Sequence, residues 1–281
     1  MPAVNAFVPS QTDLDGLSIT YYDSGEQRHG RRPVLLIHGT SGTANGHYGQ
    51  ILPMLATNTR VIAGDWANPG KDSLELDDLV AQQIAILDAT VGDEPVDVLG
   101  FSLGSVVAEA LAARFPERVG SLILTCGWAA TDNHQKLRNG IWAKLYQEQS
   151  SALREYMALC AFSPSFVRRI DPAFIAPAIQ GIQVDEFVRQ QMDLNARIDI
   201  RCEVANIKAP TLIVAGRDDL MVPRHHSQEM FGLIEDSRYT EFQSGHMVVV
   251  ERSAELIHAA EIFFSDPHAV DAGSEIPETL N

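Results

Sequence analysis

The chain has 281 residues, of which 45% are hydrophobic, and a formal net charge of -16. That length admits one large α/β domain with a substantial core. A surface this acidic repels nucleic-acid phosphates and anionic lipid, so neither nucleic acid nor membrane is expected as a partner. Such a charge weakens capture of strongly anionic substrates unless the pocket is locally basic. No apolar run is long enough to cross a bilayer. Cys126, Cys160 and Cys202 are too few and too scattered for a disulfide frame or a zinc site. Met1 to Leu14 lacks the basic start and apolar stretch of a secretory signal. The expectation is a reduced, cytoplasmic protein with no metal.

In chain order, Leu17 to Tyr22 alternates at period two and reads as a strand. Pro33 to Ile37 is a short buried strand that ends at His38-Gly39. A small-residue loop and a helical stretch to Leu55 follow. Arg60 to Gly64 is a further strand closing on Asp65-Trp66, and Leu74 to Ala89 has helical apolar spacing. Val96 to Phe101 then breaks into Gly100-Phe101-Ser102-Leu103-Gly104, with a helical pattern from Val106 to Phe115 directly behind it. A serine on so tight a strand-to-helix turn sits in strained backbone, its hydroxyl lifted beside the positive end of a helix. The flanking positions must be small for strand and helix to approach.

Val119 to Thr125 reads as another strand, and the rhythm then changes. From Thr131 to Ile200 only helical patterns occur: Gln135 to Gln149, Ala152 to Cys160, Pro172 to Ile179 and Val184 to Asn195. Strand Thr211 to Ala215, helix Pro223 to Ile234, strand Ser237 to Gln243 and helix Ser253 to Phe264 complete the pattern. Strands alternating with helices argue for an α/β fold with a mostly parallel sheet and helices on both faces. The expected organisation is a core of 1–130 and 201–265, a helical cap of 131–200 inserted between two core strands, and a disordered tail of 266–281.

A serine hydroxyl needs a base, and the base needs a carboxylate to orient it. His246 follows one strand in Ser244-Gly245-His246, and Asp219 follows another in Gly216-Arg217-Asp218-Asp219. Both stand with Ser102 at carboxyl ends of strands, where open α/β sheets place their ligands. At these residues the chain resembles the α/β-hydrolase family, in its serine-nucleophile branch with a helical cap. That branch includes carboxylesterases, lactonases, enol-lactonases, C–C bond hydrolases and cofactor-free haloperoxidases. His38-Gly39, the Ser102 turn, Gly216-x-x-Asp219-x-x-x-Pro223 and Gly245-His246 carry the likeness.

The resemblance implies that Ser102 is the nucleophile, His246 the general base and Asp219 the acid. It implies an oxyanion hole formed by the backbone N–H groups of Thr40 and Leu103, and no cofactor. His38, Trp66 and Trp128 are candidate walls of a substrate pocket. The implied activity is hydrolysis of an ester, lactone or thioester of a small, moderately apolar molecule through an acyl-serine. A C–C bond hydrolase with the same triad, and a non-catalytic ligand-binding or signalling protein, are the alternatives. Asp132 is a second candidate acid. The chain departs from many relatives after Asp65, where Trp66-Ala67-Asn68-Pro69-Gly70 replaces a basic-glycine-histidine-glycine turn.

Other residues invite competing readings. Gly39-Thr40-Ser41-Gly42 with Asp65 mimics a dinucleotide site, yet Ser41 stands where the fingerprint needs glycine. His225-His226 reads as a surface helix start, since adjacent helical residues diverge. Cys126 reads as buried and inert. His47, beside the oxyanion loop, reads as structural or solvent-facing, with an approach to the pocket as the lesser alternative. Trp142, Tyr146, Tyr156, Met157, Phe162 and Phe166 exceed what a few short helices need for mutual packing. Some of them are expected to face the substrate.

Overall fold

The computed structural model describes residues 7–25 and 30–278. Its strands are β1 (Pro9–Leu14), β2 (Leu17–Asp23), β3 (Val34–Ile37), β4 (Val61–Gly64), β5 (Val96–Phe101), β6 (Val119–Thr125), β7 (Thr211–Gly216) and β8 (Ser237–Phe242). They form one sheet in the order β1-β2-β4-β3-β5-β6-β7-β8. The β1–β2 and β2–β4 pairs are antiparallel, and every other pair is parallel. Short helices α1 (Ala44–Tyr48) and α2 (Ile51–Leu55) follow β3, α3 (Leu76–Thr90) follows β4, and α4 (Leu103–Arg114) follows β5. Between β6 and β7 lie α5 (Asn133–Gln147), α6 (Leu153–Ala161), α7 (Pro164–Arg169), α8 (Pro172–Gln180), α9 (Glu186–Asn195) and α10 (Arg201–Val204). The chain then adds α11 (His225–Leu233), α12 (Val248–Glu251) and α13 (Ser253–Ser265).

The period-two alternation of the strands splits the core into two layers. Leu35, Ile37, Ile62, Val98 and Ile213 pack on the side of α3, α4 and α11. Val34, Leu36, Val61, Leu99 and Val214 pack against α2, α12 and α13 on the other. Each such fully buried aliphatic side chain contributes on the order of 1.5–3 kcal/mol through removal from water. The helical segment between β6 and β7 has a smaller core of its own, in which Trp142, Leu153, Met157, Val188 and Met192 are buried. Its two ends are fastened together. Ala130 and Asp199 form an antiparallel bridge, flanked by Thr131 N–H to Ile198 O at 2.9 Å and Ile200 N–H to Ala129 O at 2.8 Å.

Several elements differ from the sequence reading, the short helices α10 and α12 among them. β1 is an additional strand: its residues are polar and mostly exposed, so no apolar alternation announces it. α7 is an additional helix, opened by Ser163, whose side chain accepts from Phe166 N–H, with proline at the first helical position. The expected disorder of the tail does not hold for residues up to 278. Gly273 N–H bonds Ser237 O at 2.8 Å, Tyr239 N–H bonds Ser274 O at 3.0 Å and Ile276 N–H bonds Tyr239 O at 2.7 Å. The tail thus covers the unpaired edge of β8, and an exposed edge supplies backbone partners that composition does not register. Residues 279–281 lie outside the described residues. No helix among the described residues is long and apolar enough to cross a membrane.

Candidate active site

Ser102 sits between β5 and α4 with φ 57° and ψ -124°. A side chain with a Cβ rarely adopts positive φ, and such strain persists only where its surroundings over-determine it. The surroundings here are close. A Cβ on Gly104 would lie 2.0 Å from Ile37 O, and one on Gly100 would lie 2.5 Å from Gly104 O. The strand, the turn and the helix therefore approach one another through glycine backbone alone.

His246 Nε2 lies 2.9 Å from Ser102 Oγ, and His246 Nδ1 lies 2.7 Å from Asp219 Oδ2. The other carboxylate oxygen, Asp219 Oδ1, accepts from the N–H groups of Met221 and Val222, both at 2.8 Å. An acceptor-only carboxylate at Nδ1 places the ring proton there and leaves the Nε2 lone pair for the serine hydroxyl. All three residues are buried. Behind them, Cys126 lies close to Asp219 and His246. Burial first, and then the Asp219 charge, push its thiol well above the usual range, so it stays protonated and unreactive.

Asp132 lies elsewhere. Its Oδ1 caps α5 by accepting from Gln135 N–H at 2.8 Å, and its Oδ2 lies 2.9 Å from His225 Nε2 and 3.4 Å from His226 Nε2. The two adjacent histidine rings thus both lie near one oxygen, contrary to the divergence expected along a helix. Asp218 is a turn carboxylate that accepts from Gln243 Nε2 at 2.8 Å.

The loop after β3 passes against the Ser102 turn: a Cβ on Gly39 would lie 2.8 Å from Ser102 Cβ. In this loop Gly39 N–H is bound to His47 Nδ1, Ser41 N–H to Gln191 Oε1, and Gly42 N–H to Gly39 O. Thr40 lies among them and is tied through Oγ1 to Asn195 Nδ2 at 2.9 Å. Leu103 is the first residue of α4, where the N–H groups of a helix have no partner within the helix.

A cavity of about 430 Å³ opens above Ser102 and His246. Thr40 and Trp128 line it, together with Trp142, Met157, Phe162 and Phe166 from the helical segment. Tyr146 and Tyr156 are not on its wall: Tyr146 stacks on Trp142, and Tyr156 Oη donates to Arg138 O.

His38 and Trp66 do not line the cavity either, which corrects the sequence reading. His38 Nδ1–H donates to Gly39 O at 2.9 Å, while Nε2 accepts from Trp66 N–H at 3.3 Å. The two rings pack 4.2 Å apart beneath the loop. Gln82 holds the next residue from both sides, accepting from Ala67 N–H and donating to Ala67 O, which keeps this loop on α3. Asp65 holds Ala44 N–H at 2.7 Å and Tyr22 Oη at 3.1 Å, a structural use unrelated to a nucleotide.

Sequence reasoning missed Glu251. Its Oε1 accepts from Ser163 N–H at 2.8 Å and Gly245 N–H at 3.2 Å, and its Oε2 from Ser163 Oγ at 2.5 Å. One carboxylate thus joins the helical segment to Gly245, the residue before His246. His47, for which the sequence favours a structural or solvent-facing role over an approach to the pocket, lines the cavity as a neutral ring. Burial, and then the neighbouring His38 and His246, push its pKa down to about 3.

The sequence profile of the Alpha/beta hydrolase family matches residues 34–260. The chain belongs to that family. Among curated relatives, this hydrolase is 29% identical over 233 residues to a pyrrolizixenacetamide deacetylase of Xenorhabdus hominickii, covering 80% of this chain and 87% of that protein. It is 28% identical over 280 residues to a 2-hydroxy-6-oxo-2,4-heptadienoate hydrolase of Pseudomonas putida, covering 94% and 99%. Among solved structures, the enol-lactonase of Burkholderia xenovorans superposes with a TM-score of 0.79 at 20% identity, over 92% of this chain and 100% of that one. That likeness is one of fold.

Proposed function

We propose that this hydrolase cleaves an ester, lactone or thioester of a small, moderately apolar molecule through an acyl-Ser102 intermediate. The observation that carries the reading is the hydrogen-bonded series Ser102–His246–Asp219 opening on the cavity. In the first half-reaction His246 Nε2 takes the hydroxyl proton as Ser102 Oγ attacks the carbonyl carbon. Asp219 holds the ring and stabilises the imidazolium without itself taking the proton. The oxyanion is received by the N–H groups of Leu103 and Thr40, each such donor being worth on the order of 3 kcal/mol. As the intermediate collapses, His246 returns the proton to the leaving group. Water then attacks the acyl-serine by the same steps in reverse.

The helical segment acts as a cap that excludes water and selects the acyl or leaving group. The relatives differ in the bond that their names describe, including an amide-type deacetylase and a hydrolase of a heptadienoate. All are compatible with attack on a carbonyl carbon. A fluorophosphonate probe tests the reading. Labelling is expected once, at Ser102, with turnover of short aryl esters that Ser102→Ala abolishes. Labelling that survives Ser102→Ala would sink the assignment.

A further inference from the structure

The cavity above Ser102 holds a guanidinium that lacks a counter-charge. Arg138 and Trp142 stand one helical turn apart on α5, and both line the cavity with Ser102 and His246. Arg138 Nη2 donates to Asn139 Oδ1 at 2.7 Å. Its Nε is shielded from solvent and has no partner, and the same holds for Trp142 Nε1. Among the described residues no aspartate or glutamate forms an ion pair with Arg138.

Most described arginines of this chain are paired, and of those without a carboxylate Arg168 and Arg169 are exposed while Arg154 bonds a backbone carbonyl. Acidic residues number 37 against 21 lysines and arginines. Arg60, Arg114, Arg118, Arg224, Arg238 and Arg252 all stand on carboxylates. The negative charge that Arg138 senses in this part of the site is Asp219, which is already bound to His246 and two backbone N–H groups. A buried cation without an anion is strongly unfavourable, and a guanidinium presents its donors in the geometry of a carboxylate.

We propose that Arg138, which lines the cavity beside Ser102 and has no carboxylate partner, is a binding site for a carboxylate of the substrate. The substrate class is then an acyl compound that carries one free carboxylate besides the bond to be cleaved. One guanidinium in a mostly apolar cavity balances a single charge, and the acidic surface opposes capture of a dianion. This subsite rests on Ser102 being the nucleophile, as proposed above.

The test compares the 4-nitrophenyl ester of glutaric acid, with its second carboxyl free, and the same compound with that carboxyl methylated. The free acid is expected to be preferred at least tenfold in kcat/KM. Arg138→Met should lower kcat/KM about 10- to 100-fold on the acid and less than about threefold on the methyl ester, the range expected for a hydrogen bond to a charged group. Arg138→Lys should restore part of the preference. Equal use of both esters by the wild type, or equal loss on both in Arg138→Met, overturns the subsite.

A second measurement needs no variant. Monomethyl glutarate should slow fluorophosphonate labelling of Ser102, while dimethyl glutarate at the same concentration should not. Labelling that ignores both compounds overturns the subsite and leaves the nucleophile standing. Absence of labelling at Ser102 without any competitor overturns the nucleophile and the subsite with it.

Discussion

The strand ends and the helical segment face the same cavity but are built differently. At the strand ends the functional groups are fully engaged: Asp219 accepts two backbone N–H groups and faces His246. Glycine contacts at positions 39, 100 and 104 leave the Ser102 turn no room to move. The helical segment is held by a small core of five buried residues. It also carries buried polar atoms without partners: Arg138 Nε, Asn139 Nδ2, Trp142 Nε1, Gln190 Oε1 and Asn195 Oδ1. Thr125 Oγ1 and Ser244 Oγ at the strand ends are unpaired as well, so the contrast lies around Ser102 itself. There the side chains are bound to one another, whereas Arg138 on the helical segment has no carboxylate partner. The difference teaches that reaction geometry and substrate choice are lodged in separate parts of one fold.

The largest effects should come from the strand ends. Asp219→Asn puts a side chain that can donate opposite Nδ1 and leaves the tautomer uncontrolled. The comparable change in a serine protease costs about 10⁴ in turnover. Asp132→Ala, by contrast, should leave kcat within about threefold while lowering stability by about 1 kcal/mol through loss of the α5 cap. Steady-state kinetics and urea midpoints on both variants check this, and equal loss of kcat would erase the division between the two regions.

Glu251 is where the regions join, so Glu251→Ala should lower kcat about 10- to 100-fold as the His246 loop loses its anchor. The expected signature is a fall in kcat with fluorophosphonate labelling slowed in parallel. A pure change in KM would place Glu251 with the substrate wall instead. Phe166→Ala, on the wall itself, should shift the preference among acyl chain lengths by about 10-fold, the scale set by a few methylenes in an apolar pocket. Labelling of Ser102 should be unaffected.

The smallest effect is one of stability. In the folded chain burial pushes His47 down to about 3 and, helped by His225, His226 down to about 4, both from 6.5. The unfolded chain therefore binds these protons first as pH falls. The stability gained by keeping the rings neutral is complete above about pH 6.5 and is lost between there and about pH 4. Thermal midpoints at pH 7.5 and 5.0 should differ, and His226→Gln should narrow the gap. A gap unchanged in that variant would assign the acid sensitivity to other groups.

Much of the strand-end region was legible in the sequence because its residues sit at fixed offsets from predicted strands. Ser102, Asp219 and His246 each follow one, and the geometry brings the three together. What escaped depends on contacts between distant segments. Nothing near position 251 signals that its carboxylate reaches Ser163 across 88 residues. Helical spacing places Arg138 beside Trp142 but does not say that their shared face turns to the cavity. His38 and Trp66 were misread for the same reason: a residue at a strand's carboxyl end can turn under a loop as readily as into a pocket. The tail found a sheet edge that its own composition could not announce.

The bridge between Ala130 and Asp199 has one more consequence. The chain leaves the core and rejoins it at a single point, with the two ends roughly 5 Å apart across the pair. For a segment whose ends are already clasped, added length raises the closure entropy only logarithmically, by about 0.6 kcal/mol per doubling. The helices between the clasped ends are therefore an exchangeable cassette. They can be lengthened, shortened or swapped without disturbing the register of β6 on β7, provided that the replacement still offers partners to Glu251 and to the Thr40–Ser41 loop.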